Sequence, residues 1–357
     1  MKVQTGVQLI CAADLVPTPI QWIWKDWLAA GKFHLLAGAA GTGKTTIALN
    51  LAAIITRGDC WPDGTLSGSG NVLIWSGEDD AKDTLLPRLA THGADLERVY
   101  FVRDVNEHRG SRAFDPSRDI PQLYDKASQM GEIRLIVIDP IVNAVSGDSH
   151  KNGEVRRALQ PLVELGKKLN AVILGISHFA KGSVGREPLE RVNGSIAFGA
   201  LARVVLVTAK VSDPNGSSMR VLVRAKSNHG PDGGGYHYQI EQVELVEYPG
   251  IISSQVIWGG FVEGSAKELL SDTHYHNTPD ECLLLADAMD FLNGLLADGG
   301  LLQKEIIVKA KEAGFTEMTL RRAKKSLGIK SRHDGYGKGS VWKWYLPSTI
   351  LKDIQKN

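Results

Sequence analysis

Residues 33–53, FHLLAGAAGTGKTTIALNLAA, pass from an apolar run through a glycine-rich turn into an apolar helical pattern. Gly38, four further residues, Gly43, Lys44 and Thr45 have the spacing of a phosphate-binding loop between a strand and a helix. Such glycines let backbone N–H groups surround phosphate oxygens at the start of the helix. The pattern therefore predicts a nucleotide site made of Gly38, Ala39, Ala40, Gly41, Thr42, Gly43, Lys44, Thr45 and Thr46.

The polar side chains at the end of this loop indicate how the nucleotide is held. Lys44 would neutralise the β- and γ-phosphates, and Thr45 would place its hydroxyl on Mg²⁺. A chance match to the spacing is the alternative, and the strand before the loop and the helix after it argue against chance. We therefore expect ATP and Mg²⁺ as cofactors.

The composition is that of an ordinary soluble globular chain, with 357 residues, 43% hydrophobic and 23% charged. No window approaches about 18 uninterrupted apolar residues, so we expect no membrane segment and no membrane partner. Cys11, Cys60 and Cys282 are odd in number and widely separated. This pattern argues against a disulfide framework and for a reducing compartment, so we expect a cytoplasmic protein.

The order of apolar patterns predicts the architecture. From residue 33 to about residue 210, apolar runs such as FHLLAG, NVLIWSGE, RLIVID and AVILGISH alternate with helical patterns. This alternation predicts an α/β fold with a mostly parallel sheet covered on both faces. After Lys210, alternating runs around Gly, Pro and Asn turns predict antiparallel hairpins that extend one edge of the sheet. We predict an ATPase domain over residues 1–262, a linker over 263–279 and a smaller basic domain over 280–357.

A second polar element is expected beside the phosphate loop. In the run RLIVIDP, four apolar residues precede Asp139. This is the pattern of a Walker B strand, whose carboxylate faces the coordination shell of Mg²⁺. A buried strand that ends in a turn aspartate before Pro140 is the alternative. Pro140 stands where many P-loop ATPases carry the carboxylate that prepares the attacking water. The other candidates end the run NVLIWSGEDD, at Glu78, Asp79 and Asp80.

Six motifs carry a family resemblance: LAGAAGTGKTTIALNLA, IWSGEDDAKDTLLPRLA, LIVIDP, LGISHFAKG, NGSIAFGALARVVLV and RAKSNHG. Together they resemble the RecA-like branch of P-loop ATPases, and more narrowly the RepA-type hexameric replicative helicases of plasmids and prophages. The resemblance covers about residues 20–260 and separates helicases from helicase-like ATPases only weakly. It implies a RecA-like core, ATP hydrolysis and a homo-oligomer, most simply a hexamer.

The resemblance also implies roles for individual residues. It makes Glu78 the water-activating base, places Arg88 near the nucleotide of a neighbouring subunit and makes His178 a sensor of the γ-phosphate. From the residues alone, a single histidine at a strand end is more often structural. Arg203 is the best candidate for an arginine finger that reaches the neighbouring subunit, and Lys226 is a second trans-acting candidate. A buried arginine paired with a local carboxylate is the alternative for Arg203.

A long polar loop, FAKGSVGREPLERVN, follows His178 and carries Lys181, Arg186 and Arg191. In RecA-like rings the corresponding loop points into the central channel, so the resemblance implies that these residues track single-stranded DNA. Disorder without function is the alternative. The family often has arginine before the Gly-Ser of GSIAF, where this chain has Asn193, so that role is absent or has moved to Arg191.

The C-terminal part of the chain is basic, since residues 296–357 carry 13 Lys or Arg against 6 Asp or Glu. Three short helical patterns followed by two strand patterns predict a winged helix-turn-helix. In the second helix of the predicted helix-turn-helix, we expect Leu320 and Ala323 to face inward. We expect Trp342 and Trp344 to face the same small core. The candidates for contact with duplex DNA are Arg321, Arg322, Lys324, Lys325 and Lys338.

These features together predict an ATP-hydrolysing DNA motor, a replicative DNA helicase of a mobile element or prophage. A RecA/RadA-like recombination ATPase is the first alternative, because it shares the fold and the motifs. The second is a DNA-binding regulator or helicase loader whose ATP site acts as a switch. The basic domain could equally be a solvated charged face or a protein docking domain.

Overall fold

The computed structural model describes residues 7, 9–108, 110–180, 188–191, 196–211, 219–271, 279–297, 299–334 and 341–347. The chain divides into two compact units, residues 1–274 and 275–357. Among the described residues, none of the helices combines the length and the apolar character that crossing a bilayer requires.

The first unit is built on a nine-stranded sheet of the described residues, in the order β13-β12-β11-β10-β3-β9-β8-β4-β5, with two small two-stranded sheets, β1-β2 and β6-β7. Its strands are β1 Trp22–Trp24, β2 Leu28–Ala29, β3 Phe33–Gly38, β4 Asn71–Ser76, β5 Val99–Phe101, β6 Asp104–Glu107, β7 Gly110–Ala113, β8 Ile133–Asp139, β9 Val172–His178, β10 Val204–Lys210, β11 Arg220–Ser227, β12 Gly235–Glu244 and β13 Ile252–Val262.

The predicted change from parallel to antiparallel pairing is confirmed. The six strands from β10 to β5 pair in parallel, whereas β10, β11, β12 and β13 pair in antiparallel fashion along the other edge. The parallel strands are buried on both faces, which is why their sequences read as continuous apolar runs. In β3, Phe33 and Leu35 belong to the core on one face and Leu36 to the core on the other.

Helices cover both faces of the sheet. They are α1 Lys44–Arg57, α2 Leu86–Thr91, α3 Ile120–Ala127, α4 Asn152–Leu169, α5 Ala197–Leu201 and α6 Ala266–Ser271. Helix α1 is buried along almost its whole length, and it follows Gly43, whose φ of 89° is left-handed. Helix α6 lies inside the stretch predicted as linker, and its Leu270 is buried in the core of the first unit. This unit therefore extends past residue 262.

The second unit contains three helices and a three-stranded sheet among its described residues. These are α7 Pro279–Leu295, β14 Leu301–Leu302, α8 Gln303–Glu312, α9 Glu317–Ser326, β15 Lys330–Asp334 and β16 Val341–Tyr345, with the sheet in the order β14-β16-β15. Leu320 and Ala323 of α9 are buried, as the sequence predicts, and Trp344 is 3% exposed. The expectation for Trp342 is wrong, because this residue is 52% exposed. The small core closes over Trp344 and ends before Trp342 is covered.

Candidate nucleotide-binding site

Four parallel strands end together at one edge of the sheet, and their ends carry the predicted site. In β3 and β9, Gly38 pairs with His178; in β4 and β8, Ser76 pairs with Asp139. Glu78 follows β4 by two residues. Because the strands are parallel and in register, the phosphate loop, the carboxylates and the histidine converge at the carboxyl edge, where α/β sheets bind ligands.

The phosphate loop has the form that its glycines predict. Gly41 and Gly43 adopt left-handed φ values of 70° and 89°, which glycine reaches without steric cost. A Cβ on Gly41 would meet nothing within 4 Å, so the loop is open on that side. The first-turn N–H groups of α1 have no partner inside the helix and carry its positive dipole. This cradle fits a polyphosphate.

Lys44 is a buried cation at the mouth of the loop, only 5% exposed. Its Nζ donates to the carbonyl oxygens of Gly38 at 3.1 Å and Ala39 at 2.9 Å, and to Nδ1 of His178 at 3.2 Å. Burial lowers the pKa of Lys44 to about 8, although Asp139 and Glu78 oppose the shift. A buried ammonium held by neutral acceptors is stabilised by an incoming anion, so Lys44 fits a phosphate ligand.

Thr45 and Asp139 form the candidate Mg²⁺ site. The Thr45 hydroxyl donates to Oδ2 of Asp139 at 2.7 Å. Burial raises the pKa of Asp139 to about 6, and the negative charges of Glu78 and Asp79 add to the shift. A cation beside this carboxylate would favour its ionised form. Among the residues that the structure describes, no group of three or more His, Cys, Asp or Glu could hold a metal. The pair fits Mg²⁺ carried in with phosphates better than a dedicated metal cage.

His178 lies between Lys44 and Glu78. Lys44 can only donate, so Nδ1 of His178 is the acceptor in their contact and Nε2 carries the proton. Nε2 lies 4.0 Å from Oε2 of Glu78. Burial lowers the pKa of His178, and the positive charge of Lys44 lowers it further. His178 thus accepts from Lys44 through Nδ1, and its Nε2 is directed towards the predicted base Glu78.

Ser76, which sequence reasoning did not select, shapes the turn that presents Glu78. Its hydroxyl oxygen accepts from the backbone N–H of Asp79 at 2.9 Å and of Glu78 at 3.3 Å. The Asp79 carboxylate then pairs with Arg88 of α2 at 3.0 Å. Glu78 itself is exposed at the rim of the site. The turn therefore directs the carboxylate of Asp79 to Arg88, while the carboxylate of Glu78 stays exposed at the rim of the candidate site.

Arg203 lies at the opposite ends of the parallel strands, their amino-terminal ends. It precedes β10, which runs parallel to β3, so it stands at the amino-terminal edge whereas the phosphate loop stands at the carboxyl edge. Its side chain is exposed, in contrast to the alternative of a buried arginine. Lys226 lies nearby on β11, and its Nζ donates to the carbonyl oxygens of Gly199, Ala200 and Ala202 at the end of α5. The fold does not bring Arg203 to the site of its own chain.

The predicted DNA-contacting residues fall in different settings. The guanidinium of Arg191 is buried and lies 4.2 Å from the ring centre of Phe179. Lys324 donates to the Ser331 hydroxyl at 2.6 Å, and its Nζ lies 4.0 Å from the ring centre of Trp344. Arg321 is exposed on α9. The remaining DNA-contact candidates lie outside the residues or side chains that the structure describes: Lys181, Arg186, Arg322, Lys325 and Lys338.

This geometry joins the phosphate loop, the Lys44 ammonium, the hydrogen-bonded pair of Thr45 and Asp139, and the exposed carboxylate of Glu78. Residues 7–184 match the family model described as AAA domain. The matched range holds the phosphate loop, Glu78, Asp139 and His178, and it ends before Arg203. The mostly parallel sheet is consistent with a RecA-like P-loop core, and the match supports an ATPase-like domain over residues 7–184. No curated protein matches the chain.

Proposed function

We propose that this chain is an ATP-hydrolysing DNA motor, a replicative DNA helicase of a mobile element or prophage that works as a homohexameric ring. The observation that carries the proposal is the position of Arg203. It is exposed at the sheet edge opposite the phosphate loop, so it can reach a nucleotide only in another copy of the chain. Head-to-tail contacts of this kind close into rings when the rotation allows it.

Each group at the carboxyl edge has a proposed task. Lys44 and the loop N–H groups bind the phosphates, while Thr45 and Asp139 hold Mg²⁺, which supplies charge neutralisation when bound. Glu78 orients the attacking water and takes its proton. His178 acts as a sensor: when Lys44 binds or releases the γ-phosphate, its contact with His178 changes, and this change is transmitted to the loop that follows β9. Arg203 from the neighbouring subunit stabilises the charge that develops on the transferring phosphoryl group.

DNA contact is the second half of the proposal. Single-stranded DNA would pass through the ring channel along the loop that carries Lys181 and Arg186. Duplex DNA would meet the second unit, where Arg321 is exposed on α9 and residues 296–357 have an excess of seven positive charges, 13 less 6. Basic side chains on one helix provide the phosphate contacts that such binding needs.

Mixing two inactive variants tests the shared site. Lys44→Ala removes the lysine that binds the phosphates, and Arg203→Ala removes the charge supplied by the neighbouring subunit. Each variant by itself should therefore lose ATPase activity, by roughly 10³-fold for Arg203→Ala. In a randomly mixed ring, about a quarter of the interfaces pair an intact phosphate loop with an intact Arg203. Mixing should therefore restore a measurable part of the parent rate.

Arg157→Ala is the matched control, because Arg157 is an exposed arginine on α4, and it should hydrolyse ATP at the parent rate. Mass in solution with ATP and Mg²⁺ should correspond to a hexamer, and single-stranded DNA should stimulate turnover. Full activity of Arg203→Ala, or no recovery on mixing, would show that Arg203 does not complete the site.

A DNA-binding regulator or helicase loader with an ATP switch is the second candidate. It is favoured by the basic second unit, in which α8 and α9 follow each other along the chain as the two helices of a helix-turn-helix would. The full chain would then bind a defined duplex more tightly with ATP than with ADP and would separate no strands. A closed hexamer that unwinds a forked duplex would exclude this candidate, and would also exclude a recombinase-like filament.

A further inference from the structure

The inner side of the phosphate loop lies directly on two strands of the antiparallel edge. A Cβ on Gly38 would collide with Thr208 of β10, and a Cβ on Gly43 would collide with Ile240 of β12. Both strands come from beyond residue 184, where the AAA domain match ends. The loop is therefore supported by two strands, β10 and β12, that carry no predicted nucleotide contact of their own.

Two buried hydroxyl groups hold the loop at Thr42. The Thr42 hydroxyl donates to the Ala39 carbonyl at 2.8 Å and lies 2.7 Å from the Thr208 hydroxyl. Either hydroxyl can be the donor in the second contact, and the Thr208 hydroxyl also lies 3.4 Å from the Ala37 carbonyl oxygen. The hydroxyl of Tyr238, on β12, donates to the Thr42 carbonyl oxygen at 2.6 Å. Thr42, Thr208 and Tyr238 are each no more than 2% exposed.

The anchored residue stands between two glycines of the loop. Thr42 is flanked by Gly41 and Gly43, both in the left-handed region, and glycine restricts its own backbone less than any other residue. Fixing both the carbonyl and the side chain of Thr42 fixes the peptide planes on either side. These planes set where the loop N–H groups point, and a site whose donors are already oriented loses less entropy on binding.

We propose that Thr208 and Tyr238 are positioning residues that preform the phosphate loop and thereby set its affinity for nucleotide. The inference rests on the proposed nucleotide binding and adds residues to it. Neither side chain touches the phosphates; both act through Thr42. An interaction that aids ATP and the transition state equally changes KM and leaves kcat nearly unchanged. ADP should be affected as ATP is, because the loop surrounds the β-phosphate in both.

Two conservative substitutions test the proposal in the full-length protein. Thr208→Val and Tyr238→Phe each remove one hydroxyl and keep the packing. Each should raise the Kd of a fluorescent ADP analogue, and the KM for ATP, by about 3- to 10-fold, as expected for one lost hydrogen bond. The kcat should stay within about twofold of the parent. Thr208→Ser keeps the hydroxyl and should bind ADP as the parent does.

Thr56→Val is the matched control. Thr56 is equally buried, near the far end of α1, where its hydroxyl donates to the Ala53 carbonyl and accepts from the Asp95 N–H. This variant should lower the Tm and leave the Kd for ADP unchanged. If Thr208→Val and Tyr238→Phe also lower only the Tm, the two hydroxyls are merely structural and the proposal is overturned. If one of them does not fold, the other decides. A parent protein that binds neither ADP nor ATP would instead refute the proposed function.

Discussion

Protonation of one buried histidine should make the fold sensitive to mild acid. His34 lies in β3 and is 0% exposed. Its Nε2 accepts from the Ala29 N–H at 3.0 Å, so the proton is on Nδ1, which donates to the Lys32 carbonyl at 3.1 Å. Burial lowers the pKa of His34 to about 4, and the charge of His229 contributes. A proton on Nε2 would face the Ala29 N–H and break the link between β2 and β3.

The magnitude follows from the two pKa values. The folded state binds fewer protons at His34 than the unfolded state, whose histidine pKa is near 6.5. The contribution to stability is therefore complete above about pH 6.5 and is lost as the pH falls towards 4. By about pH 5 the loss from this one residue should be about 2 kcal/mol, and the full loss in stronger acid about 3 kcal/mol.

Urea unfolding followed by tryptophan fluorescence measures this effect. His34→Gln keeps an acceptor and does not titrate, so it should be less stable than the parent at about pH 7.5, but the difference should shrink by about 2 kcal/mol at about pH 5. His150→Gln, at an exposed position, is the control and should follow the parent at both pH values. A parent-to-variant difference in unfolding free energy that stays constant between these pH values would contradict the assigned role of His34.

Three further predictions concern the carboxyl edge of the sheet. Glu78→Gln should still bind ATP but hydrolyse it about 10²- to 10⁴-fold more slowly, whereas Glu132→Gln, at an exposed site paired with Arg134, should have the parent rate in the same assay. Asp139→Asn should raise the Tm of the metal-free protein at about pH 7.5, because burial raises the pKa of this carboxyl to about 6 and makes its ionised form costly. In this variant, Mg²⁺ with ATP should no longer raise the Tm further. A lower Tm without metal would contradict the argument. Gly43→Ala should destabilise the protein by more than Gly41→Ala, since a Cβ on Gly43 strikes Ile240 and one on Gly41 meets open space, and equal Tm losses for the two variants would contradict the packing.

The amino-acid pattern is enough to predict the parallel core and most members of the candidate site. Local signals were enough, because apolar runs and glycine-rich turns are properties of neighbouring residues. Once the strands are parallel, their carboxyl ends must share an edge, so Lys44, Asp139, His178 and Glu78 could be placed together from the order of motifs alone. Neither the contact between Lys44 and His178 nor the turn built by Ser76 could be predicted, since both depend on side-chain distances.

Contacts between distant segments could not be predicted from local patterns. Thr208 and Tyr238 meet Thr42 across 166 and 196 residues of sequence, and only the pairing order of β10 to β12 brings them there. The same order leaves Arg203 exposed at the far edge. The burial of Arg191 on Phe179 also depends on contacts between distant segments. Periodicity shows which face of an element is apolar, whereas the identity of the neighbour across that face is fixed by the register and the packing of the whole domain.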